Sequence, residues 1–565
     1  MSTFSGTLRF LLPSCLAIIL GCVCNAEDAH TASEHQQAFR SIEKLRTLAS
    51  LEGHLMWALD HYVRTAKTII ARGELLSQNS LMYPLITREN LAVLDSILYD
   101  VRPTAMSISA NIDKHVTNPV LAFQLLHRYV ILWGVHVKNR IQCDVGEDFL
   151  QLFSTTERLI APEVDLRGAC HAIFRMQYIY RVSTRDFSMG SLPGTDRETL
   201  PSHMGVEDCF VLGKEAYLLN DTYMCVTWME ESLRRLNAGY PVRPWHDVTL
   251  TRIYEFIAYC HYLGGNIHKA VMYTKRILMI DPDNGSGLSN IALFTHLETM
   301  SNVTAVQEPD YPVEGKACDM KCATGYEKYC RGELPKQTAD VQRHLKCYYV
   351  NDHPLLRIQP IGVEMLNTNN PRALVFKNFL SDRECDIIKN KAKPLLHKSN
   401  VLWDDTQPFR DTRVSNTAWL YENDDPEPYL MTIAKRIGAV TGLNVETAEP
   451  FQVLNYGMGG MYEPHHDYAF NVDVLEYRLA TFLMYLSDVN WGGGTVFTLL
   501  GRRALPNKGD ALFWYNMKRS GEFIPNSLHA GCPVLLGEKW IVNKWFSYLG
   551  QEEHFKCGLS PDAPE

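Results

Sequence analysis

Two histidines and one aspartate near the C-terminal end of the chain have the residue types and spacing of a metal site. His465 and Asp467 are separated by one residue, and His529 follows much later. Two imidazoles and one carboxylate on one side of a metal, with open positions opposite, form the ligand set of non-haem Fe(II) oxygenases. On a β-strand, residues i and i+2 point to the same side, so His465 and Asp467 can reach one ion while His466 faces away. The pattern therefore predicts an iron site that His529 completes from a distant strand.

Lys539 lies ten residues beyond His529, just before an apolar segment. An isolated lysine is usually a solvated surface residue. A buried ammonium group here could instead hold the far carboxylate of a dicarboxylic co-substrate as a point charge. Because Lys539 follows the third predicted metal ligand, we favour the co-substrate role.

The segments that carry these residues have the composition of β-strands. They are rich in apolar, β-branched and aromatic residues and are separated by glycine and proline turns. The predicted strands are 451–456, 478–486, 495–498, 510–515 and 539–548. Many short strands with this punctuation predict a barrel or jelly roll, whose mouth can hold a ligand.

A series of short motifs in this region occurs in the order known from one enzyme family. The motifs are Asn455-Tyr456-Gly457, Tyr462-Glu463-Pro464-His465-His466-Asp467, Gly493-Gly494-Thr495-Val496-Phe497, Phe513-Trp514-Tyr515-Asn516, His529-Ala530-Gly531-Cys532-Pro533-Val534, and Lys539-Trp540 with Asn543-Lys544-Trp545. The region resembles the catalytic domain of the collagen prolyl 4-hydroxylase α-subunit family. That resemblance implies a double-stranded β-helix that uses Fe(II), 2-oxoglutarate, O2 and ascorbate. The implied reaction converts peptidyl proline in collagen-like X-Pro-Gly sequences to 4-hydroxyproline, while 2-oxoglutarate becomes succinate and CO2.

The resemblance also implies a role for individual residues. His465, Asp467 and His529 become the iron ligands, and Lys539 becomes the partner of the 2-oxoglutarate carboxylate. The remaining implied site residues are Tyr456 and Thr481 for the co-substrate, and Tyr462, Arg478 and Trp545 for the catalytic pocket. Core packing stays open as an alternative for the two tyrosines, for Thr481 and for Trp545.

Length and composition indicate a multidomain globular protein. The chain has 565 residues, of which 46% are hydrophobic and 21% charged. This length exceeds a single ordinary core, so about three domains are expected. The net charge of −9 argues against a nucleic-acid-binding protein.

Residues 1–26 have the pattern of a secretory signal. Arg9 precedes an apolar stretch, and small residues around Ala26 provide a cleavage site. The stretch is too short, and too interrupted by Pro13, to span a membrane, and no later segment is an uninterrupted apolar run of span length. The mature chain is therefore expected in an oxidising compartment, where Asn220, Asn284 and Asn302 are glycosylation candidates.

Residues 27–180 are predicted to be helical. An apolar series recurs with spacings of mostly three or four, interrupted by the polar Glu52; it comprises Leu45, Leu48, Leu55, Leu59, Tyr62, Ala66 and Ile69. One interpretation is a long amphipathic helix packed on its own domain, and the other is a self-pairing coiled coil. The periodicity does not decide between them, whereas the family resemblance favours a coiled-coil dimer of α subunits.

Residues 203–300 alternate predicted helices with glycine turns and a closing Asp281-Pro282, the pattern of a tetratricopeptide array. Its aromatic residues are Tyr217, Tyr223, Phe256, Tyr259 and Tyr262. The last three share one helix face, which is usually core, although aromatic grooves also bind polyproline II chains. The resemblance to the family's peptide-substrate-binding domain favours a groove. Asn290 matches that domain, whereas Leu293 stands where an aromatic residue is typical.

Residues 301–350 form a cysteine-bearing connector, and residues 351–557 form the catalytic domain with its core at 447–548. The family resemblance implies disulfides between Cys330 and Cys347 and between Cys532 and Cys557. Cys318 and Cys322 are close enough to bridge each other, but connectivity cannot be deduced from spacing. A zinc site is the weaker alternative because no closely spaced histidine pair follows.

The C-terminal tail lacks a lumenal retention signal of the Lys-Asp-Glu-Leu kind. The family resemblance implies that protein disulfide isomerase, as the β subunit, would hold the chain in the endoplasmic reticulum lumen. Two other functions remain alternatives. A lysyl hydroxylase would place an arginine where Lys539 stands, and a collagen-binding chaperone would not need the intact triad.

Overall fold

The computed structural model describes residues 37–72, 87–141, 143–195, 203–243, 246–300, 325–399, 412–424, 427–468 and 477–558. The expected signal peptide, Asn302, Cys318 and Cys322 lie outside these residues. Helices form the first half of the described chain and strands dominate the last part, in agreement with the expected α+β class.

The N-terminal region begins with a 3₁₀ turn, Ala38–Arg40, that leads into a 30-residue helix. The Ser41 hydroxyl caps this helix by accepting a hydrogen bond from the Lys44 N–H, one of the groups that a helix start leaves unpaired. The helices of this region are α1 (Ile42–Ala71), α2 (Arg88–Ala110), α3 (Ile112–Val116), α4 (Pro119–His127), α5 (Cys143–Glu157), α6 (Pro162–Tyr180) and α7 (Thr184–Ser188).

The apolar series of α1 is the inner face of this region. Leu45, Leu48, Leu55 and Leu59 are completely buried, and α1 packs against α2 and α5 of the same chain. The periodicity is therefore that of an amphipathic helix packed on its own domain. A second copy of the chain would have to use another face.

Glu52, the polar residue of that series, is buried and fully paired. Arg128 donates two hydrogen bonds of 2.8 Å to its carboxylate, and Trp133 Nε1–H donates a third of 3.0 Å. Pairing of this kind is what makes a buried carboxylate tolerable. Both partners lie in a π-helical run, Arg128–Val137. The whole run from Pro119 to Arg140 is apolar and long enough to cross a membrane, but it lies mostly buried inside the protein, as a core helix does.

Five helices follow, and each packs on the next in chain order, as in a tetratricopeptide array. They are α8 (Val206–Leu218), α9 (Thr222–Asn237), α10 (Leu250–Leu263), α11 (Ile267–Ile280) and α12 (Gly285–Met300). The predicted glycine turn follows α10, and Asp281 follows α11. A disulfide between Cys225 and Cys260, which sequence reasoning did not identify, joins α9 to α10.

The C-terminal domain is built of short antiparallel strands. The strands are β1 (Cys347–Val350), β2 (Ile361–Asn367), β3 (Ala373–Phe376), β4 (His397–Lys398), β5 (Asn416–Leu420), β6 (Phe451–Tyr456), β7 (Tyr462–His465), β8 (Arg478–Tyr485), β9 (Trp491–Gly492), β10 (Thr495–Phe497), β11 (Arg502–Ala504), β12 (Ala511–Tyr515), β13 (His529–Gly531), β14 (Val534–Leu536) and β15 (Lys539–Ser547). The accompanying helices are α13 (Tyr326–Arg331), α14 (Ala339–His344), α15 (Pro354–Ile358), α16 (Asp382–Ala392) and α17 (Tyr429–Thr441).

Nine strands form a large sheet in the order β1-β2-β3-β12-β8-β15-β6-β5-β4, and four form a smaller one in the order β11-β10-β13-β7. Residues of both sheets, such as Leu454, Phe497 and Trp514, share one apolar interior. On the other face of the large sheet, Val453 and Phe482 pack in the core that contains α16 and α17. Alternating residues of one strand thus supply the two cores, as the pleat requires.

The connector enters the fold through α13, which contacts α6, β10 and β11. Cys330 of α13 forms a disulfide with Cys532, which lies just after β13. This pairing corrects both disulfides that the family resemblance implied. Cys347 lies in β1, at the far edge of the large sheet, and Cys557 lies in the C-terminal tail; both are exposed free thiols.

Candidate active site

The three predicted metal ligands converge although they are far apart in the chain. β7 ends at His465 and pairs with β13, where His529 lies directly opposite it. His465 Nε2 lies 3.8 Å from Asp467 Oδ1, and His529 Nε2 lies 3.8 Å from Asp467 Oδ2. The ligating atoms all lie within 4.8 Å of one another, a separation that one ion between them can span.

Hydrogen bonds to carbonyl groups set the tautomer of both imidazoles. His465 Nδ1 lies 2.7 Å from the Glu463 carbonyl oxygen, and His529 Nδ1 lies 2.9 Å from the Ser527 carbonyl oxygen. Because a carbonyl oxygen only accepts, each Nδ1 carries the proton and donates it. Each Nε2 therefore presents its lone pair toward the other ligands, as metal-binding histidines do.

The protonation states also suit a metal site. Burial, and then the neighbouring His529, lowers the pKa of His465 well below its ordinary value, which keeps that ring neutral. For Asp467, burial raises the pKa, but the two histidines, Arg478 and a hydrogen bond from Thr481 outweigh it and lower the pKa to about 2. A neutral imidazole and an ionised carboxylate are the forms that bind metal.

A chain of hydrogen bonds orients the Asp467 carboxylate. Thr481 Oγ1–H donates to Asp467 Oδ2 at 2.6 Å, Asn516 Nδ2–H donates to Thr481 Oγ1 at 3.0 Å, and Trp514 Nε1–H donates to Asn516 Oδ1 at 2.9 Å. The Thr481 hydroxyl is therefore committed to a metal ligand. The expected co-substrate contact of Thr481 stays a prediction beside this observed role, and the supporting role of Asn516, although the residue belongs to a motif quoted above, was not predicted.

Lys539 begins β15 and projects into the interior between the sheets, opposite Tyr456 of β6. Its side chain is only 1% exposed, and Nζ lies 4.9 Å from the centre of the Tyr456 ring. Burial lowers the pKa of Lys539 to about 7 and raises that of Tyr456 to about 12. Among the residues that the structure describes, no carboxylate pairs with this ammonium group, so the site can accept an anion.

Tyr462 forms the wall of the site beside the metal ligands. Its ring stacks on His465 with 3.5 Å between centres, and the Arg413 guanidinium lies 4.8 Å from its centre. Arg413 also donates to Gln452 Oε1 at 3.2 Å. Sequence reasoning did not single out Arg413, because its pairing with Tyr462 is a long-range β-bridge.

Arg478 and Trp545 form a second wall of the site, beside Asp467. Glu449 receives two hydrogen bonds from Arg478, at 2.5 and 2.9 Å, and the guanidinium lies 3.7 Å from the centre of the Trp545 ring. A further contact, at 3.4 Å, joins Arg478 to the Asp467 carbonyl. Trp419 lies 6.2 Å from Trp545 between ring centres. The two predicted pocket residues therefore lie together, within reach of the metal ligands.

Three buried polar atoms around these walls have no partner among the described residues: Arg413 Nε, Asn543 Oδ1 and Trp545 Nε1. Asn543 and Trp545 point to the same side of β15, and Asn543 lies opposite Gln452, which Arg413 contacts. An unpaired buried polar atom costs roughly 1–3 kcal/mol. Such a group of unpaired atoms beside a metal triad indicates contacts reserved for a bound ligand.

The aromatic residues of the tetratricopeptide-like region form a continuous ladder. Ring centres are separated by 5.4 Å between Tyr217 and Phe256, 5.8 Å between Tyr217 and Tyr259, 5.6 Å between Tyr259 and Tyr262, and 4.7 Å between Tyr262 and Phe294. Except for the buried Phe294, these residues are half-buried, as are Tyr223 and Asn290. Phe294, next to the Leu293 singled out in the sequence, was missed.

Two of the glycosylation candidates are described. Asn220 is exposed in the turn before α9. The Asn284 side chain is half-buried, donates to Glu255 and accepts from the Gly287 N–H at 2.7 Å. Asn220 is therefore the more accessible acceptor.

Family models match most of the helical regions and the oxygenase core. "Prolyl 4-Hydroxylase alpha-subunit, N-terminal region" matches residues 81–194, "Prolyl 4-hydroxylase peptide-substrate-binding domain" matches 206–299, and "2OG-Fe(II) oxygenase superfamily" matches 451–547. Prolyl 4-hydroxylase subunit alpha-1 of Rattus norvegicus is 36% identical over 465 residues, which cover 79% of this chain and 85% of the relative. The chain belongs to the prolyl 4-hydroxylase α-subunit family.

Other members of the prolyl 4-hydroxylase α-subunit family are similarly related. Subunit alpha-2 of Gallus gallus is 34% identical over 548 residues, covering 92% of this chain and 95% of that one. Subunit alpha-2 of Caenorhabditis elegans is 34% identical, covering 80% and 84%. Among solved structures, the viral collagen prolyl hydroxylase of Paramecium Bursaria Chlorella virus-1 is 28% identical, with a TM-score of 0.26, and covers 31% of this chain and 94% of that one.

The 2OG-Fe(II) oxygenase domain of the chain implies Fe(II), 2-oxoglutarate and O2 as cofactors; ascorbate is typical of prolyl hydroxylases. The residues fit these groups. The triad presents two imidazole nitrogens and a carboxylate to one point, and Lys539 offers a buried cation without an anionic partner among the described residues.

Proposed function

We propose that this chain hydroxylates peptidyl proline in collagen-like X-Pro-Gly sequences to 4-hydroxyproline. One 2-oxoglutarate and one O2 are consumed, and succinate and CO2 are released. The observation that carries the proposal is the convergence of His465, Asp467 and His529 within 4.8 Å. The residues expected to serve this reaction surround that point.

The protein's own contribution is binding and orientation. When bound, Fe(II) and 2-oxoglutarate supply the activation of O2 for insertion of oxygen into a C–H bond. His465, Asp467 and His529 hold the iron, and Thr481 keeps the Asp467 carboxylate turned toward it. Lys539 pairs with the distal carboxylate of 2-oxoglutarate.

The pocket walls orient the peptide. Tyr462 and Trp545 present aromatic faces to the proline ring, and Arg478 fixes the Trp545 ring by stacking on it. The unpaired Trp545 Nε1 and Arg413 Nε donate to carbonyl oxygens brought by the ligands, and Asn543 Oδ1 accepts an N–H. These contacts hold the substrate close to the metal and keep water out, which is how positioning lowers a barrier.

A coupled assay tests the proposal. Release of CO2 from 2-oxoglutarate and formation of 4-hydroxyproline in a Pro-Pro-Gly repeat peptide are measured together. Asp467→Ala should abolish both, and Asp352→Ala, at an exposed position, should change neither. Turnover retained by Asp467→Ala, lysine hydroxylation, or peptide binding without turnover would each contradict it.

The remaining regions support substrate capture and assembly. We assign 27–180 to dimerisation, 203–300 to peptide binding through the aromatic ladder, 301–350 to the connector and 351–557 to catalysis on a double-stranded β-helix. Exposed aromatic residues, Trp57 on α1 and Tyr99 on α2, provide a face for a second α chain. A protein disulfide isomerase subunit and residence in the endoplasmic reticulum lumen complete the proposal; co-purification and sedimentation test the assembly.

A further inference from the structure

The segment just before α1 is inserted between the helical region and the oxygenase core. Phe39, Arg40 and Ser41 are all at most 2% exposed. Two glycines make room for it. A Cβ atom at Gly168 of α6 would lie 2.3 Å from the Phe39 ring, and one at Gly457 would lie 2.0 Å from the Phe39 carbonyl oxygen. Neither position could carry a side chain without displacing the segment.

Within the part of the chain that the structure describes, three hydrogen bonds join the segment to the oxygenase core. Arg40 Nη1–H donates to the Arg413 carbonyl oxygen at 2.8 Å, and the Gly457 N–H donates to the Arg40 carbonyl oxygen at 2.8 Å. The buried Ser41 hydroxyl donates to Asn455 Oδ1 at 2.6 Å. Each of these bonds joins positions more than 370 residues apart, and both ends are buried, where such bonds are strongest.

These bonds reach residues that adjoin the site: the Asn455 side chain and the Gly457 and Arg413 backbone. Asn455 and Gly457 flank Tyr456, whose ring lies against the Lys539 ammonium group. Arg413 carries the guanidinium above Tyr462, whose own ring stacks on a metal ligand. The segment thus supports two walls of the site from outside the barrel.

We propose that Arg40 and Ser41 are positioning residues for the oxygenase site, so that the N-terminal segment completes the catalytic domain. This inference rests on the proposed function, because it concerns the walls that hold 2-oxoglutarate and proline. Arg40 acts through Arg413 and Gly457, and Ser41 acts through Asn455; neither residue touches substrate.

The test uses the full-length chain in its native assembly. In Arg40→Gln and Ser41→Ala, the KM for 2-oxoglutarate should rise about tenfold, the effect of losing one buried hydrogen bond of about 1.4 kcal/mol. The fraction of 2-oxoglutarate decarboxylated without proline hydroxylation should also rise. Arg40→Lys, which keeps one charged donor, should restore part of the loss. Arg64→Gln, at an exposed position of α1, should match the wild type.

Hydrogen exchange gives a readout that does not depend on turnover. Amides of residues 457–461 should exchange about tenfold faster in both variants, as local opening becomes easier, while those of α10 and α11 stay unchanged. Unchanged exchange, or a loss of folded protein with an unchanged KM, would overturn the inference. If Arg40→Gln does not fold, the KM and exchange measurements on Arg40→Lys and Ser41→Ala test the inference. If the wild-type chain shows no turnover, the proposed function is refuted. The difference in hydrogen exchange between wild type and variants can still be measured in that case, so it tests the structural role of Arg40 and Ser41 separately.

Discussion

Lys539 Nζ lies 4.9 Å from the centre of the Tyr456 ring, and the two residues pair across the neighbouring strands β15 and β6. The lysine is buried and has no carboxylate partner among the described residues, so the cost of desolvation holds its pKa at about 7. A bound carboxylate would stabilise the charged form and raise this pKa. The site is therefore tuned so that co-substrate binding and protonation are linked.

This linkage predicts a pH-dependent affinity for 2-oxoglutarate. Below pH 7 the ammonium group is already charged, and binding needs no proton. Above pH 7 the free protein loses the proton that the complex retains, so the KM for 2-oxoglutarate should rise by up to about tenfold per pH unit. Initial rates at saturating peptide, measured from pH 6 to pH 9, check this.

Lys539→Arg is the matched control, because a guanidinium stays protonated throughout this range. The KM of this variant for 2-oxoglutarate should no longer rise with pH above pH 7, whatever its absolute value. A wild-type KM that is flat across the range would show that the lysine is charged without its ligand.

The Thr481 hydroxyl should matter for iron affinity, not for 2-oxoglutarate affinity. Thr481→Val removes the donor to Asp467 Oδ2 but keeps the shape of the side chain. Loss of such a supporting contact typically lowers metal affinity by about 10–100-fold, which activity titrated against Fe(II) measures. Thr498→Val is the control, since the buried Thr498 hydroxyl has no partner among the described residues. A higher KM for 2-oxoglutarate with unchanged dependence on Fe(II) would instead show that Thr481 contacts the co-substrate.

The parts of the site that sequence reasoning predicted are those encoded by local patterns. The His465-x-Asp467 spacing indicated two ligands of one ion, but only His465 lies on a strand: β7 ends there, and Asp467 follows in a bend. The order of motifs indicated His529 and Lys539. The apolar series of α1 predicted a buried helix face. The spacing of apolar residues cannot specify which elements cover that face, and in the structure these are α2 and α5. The shared helix face of Phe256, Tyr259 and Tyr262 was predicted for the same local reason, whereas their ring contacts with Tyr217 and Phe294 join different helices.

The parts that were missed depend on contacts between distant segments. A β-bridge to Tyr462 positions Arg413. Asn516 donates a hydrogen bond to Thr481, which lies on the neighbouring strand of the large sheet. No spacing in the chain encodes either contact. The cysteine pairing failed for the same reason, because α13, which contacts α6, β10 and β11, brings Cys330 beside Cys532.

The observed cysteine pairing can be tested directly. Peptide mapping without reduction should recover Cys330 linked to Cys532, with Cys347 and Cys557 alkylated. Replacing Cys330 and Cys532 with serine should lower the thermal midpoint more than replacing Cys225 and Cys260. Their sequence separations are 202 and 35 residues, which correspond to about 5 and 4 kcal/mol in the chain-entropy model. Recovery of a Cys330–Cys347 peptide would reinstate the pairing that the resemblance implied.

Peptide binding by the aromatic ladder should depend on ring faces at its centre. Tyr259 contacts both Tyr217 and Tyr262, so Tyr259→Ala interrupts the ladder. We expect the Kd for a Pro-Pro-Gly repeat peptide to rise about tenfold, since one stacked aromatic contributes about 0.5–1.5 kcal/mol beyond its buried area. Calorimetry on the full-length chain measures this Kd.

Two further variants separate the aromatic face from the polar tip of Tyr259. Tyr259→Phe keeps the ring and should retain most of the affinity if stacking dominates, whereas a loss equal to that of Tyr259→Ala would assign the binding energy to the hydroxyl. Tyr349→Ala, at a 72% exposed position of β1, should leave the Kd unchanged. Because the aromatic ladder contains none of the metal ligands, kcat at saturating peptide should stay near the wild-type value in Tyr259→Ala, while the KM for the peptide rises. A fall in kcat at unchanged KM would place the role of Tyr259 in the chemical step and contradict a binding groove.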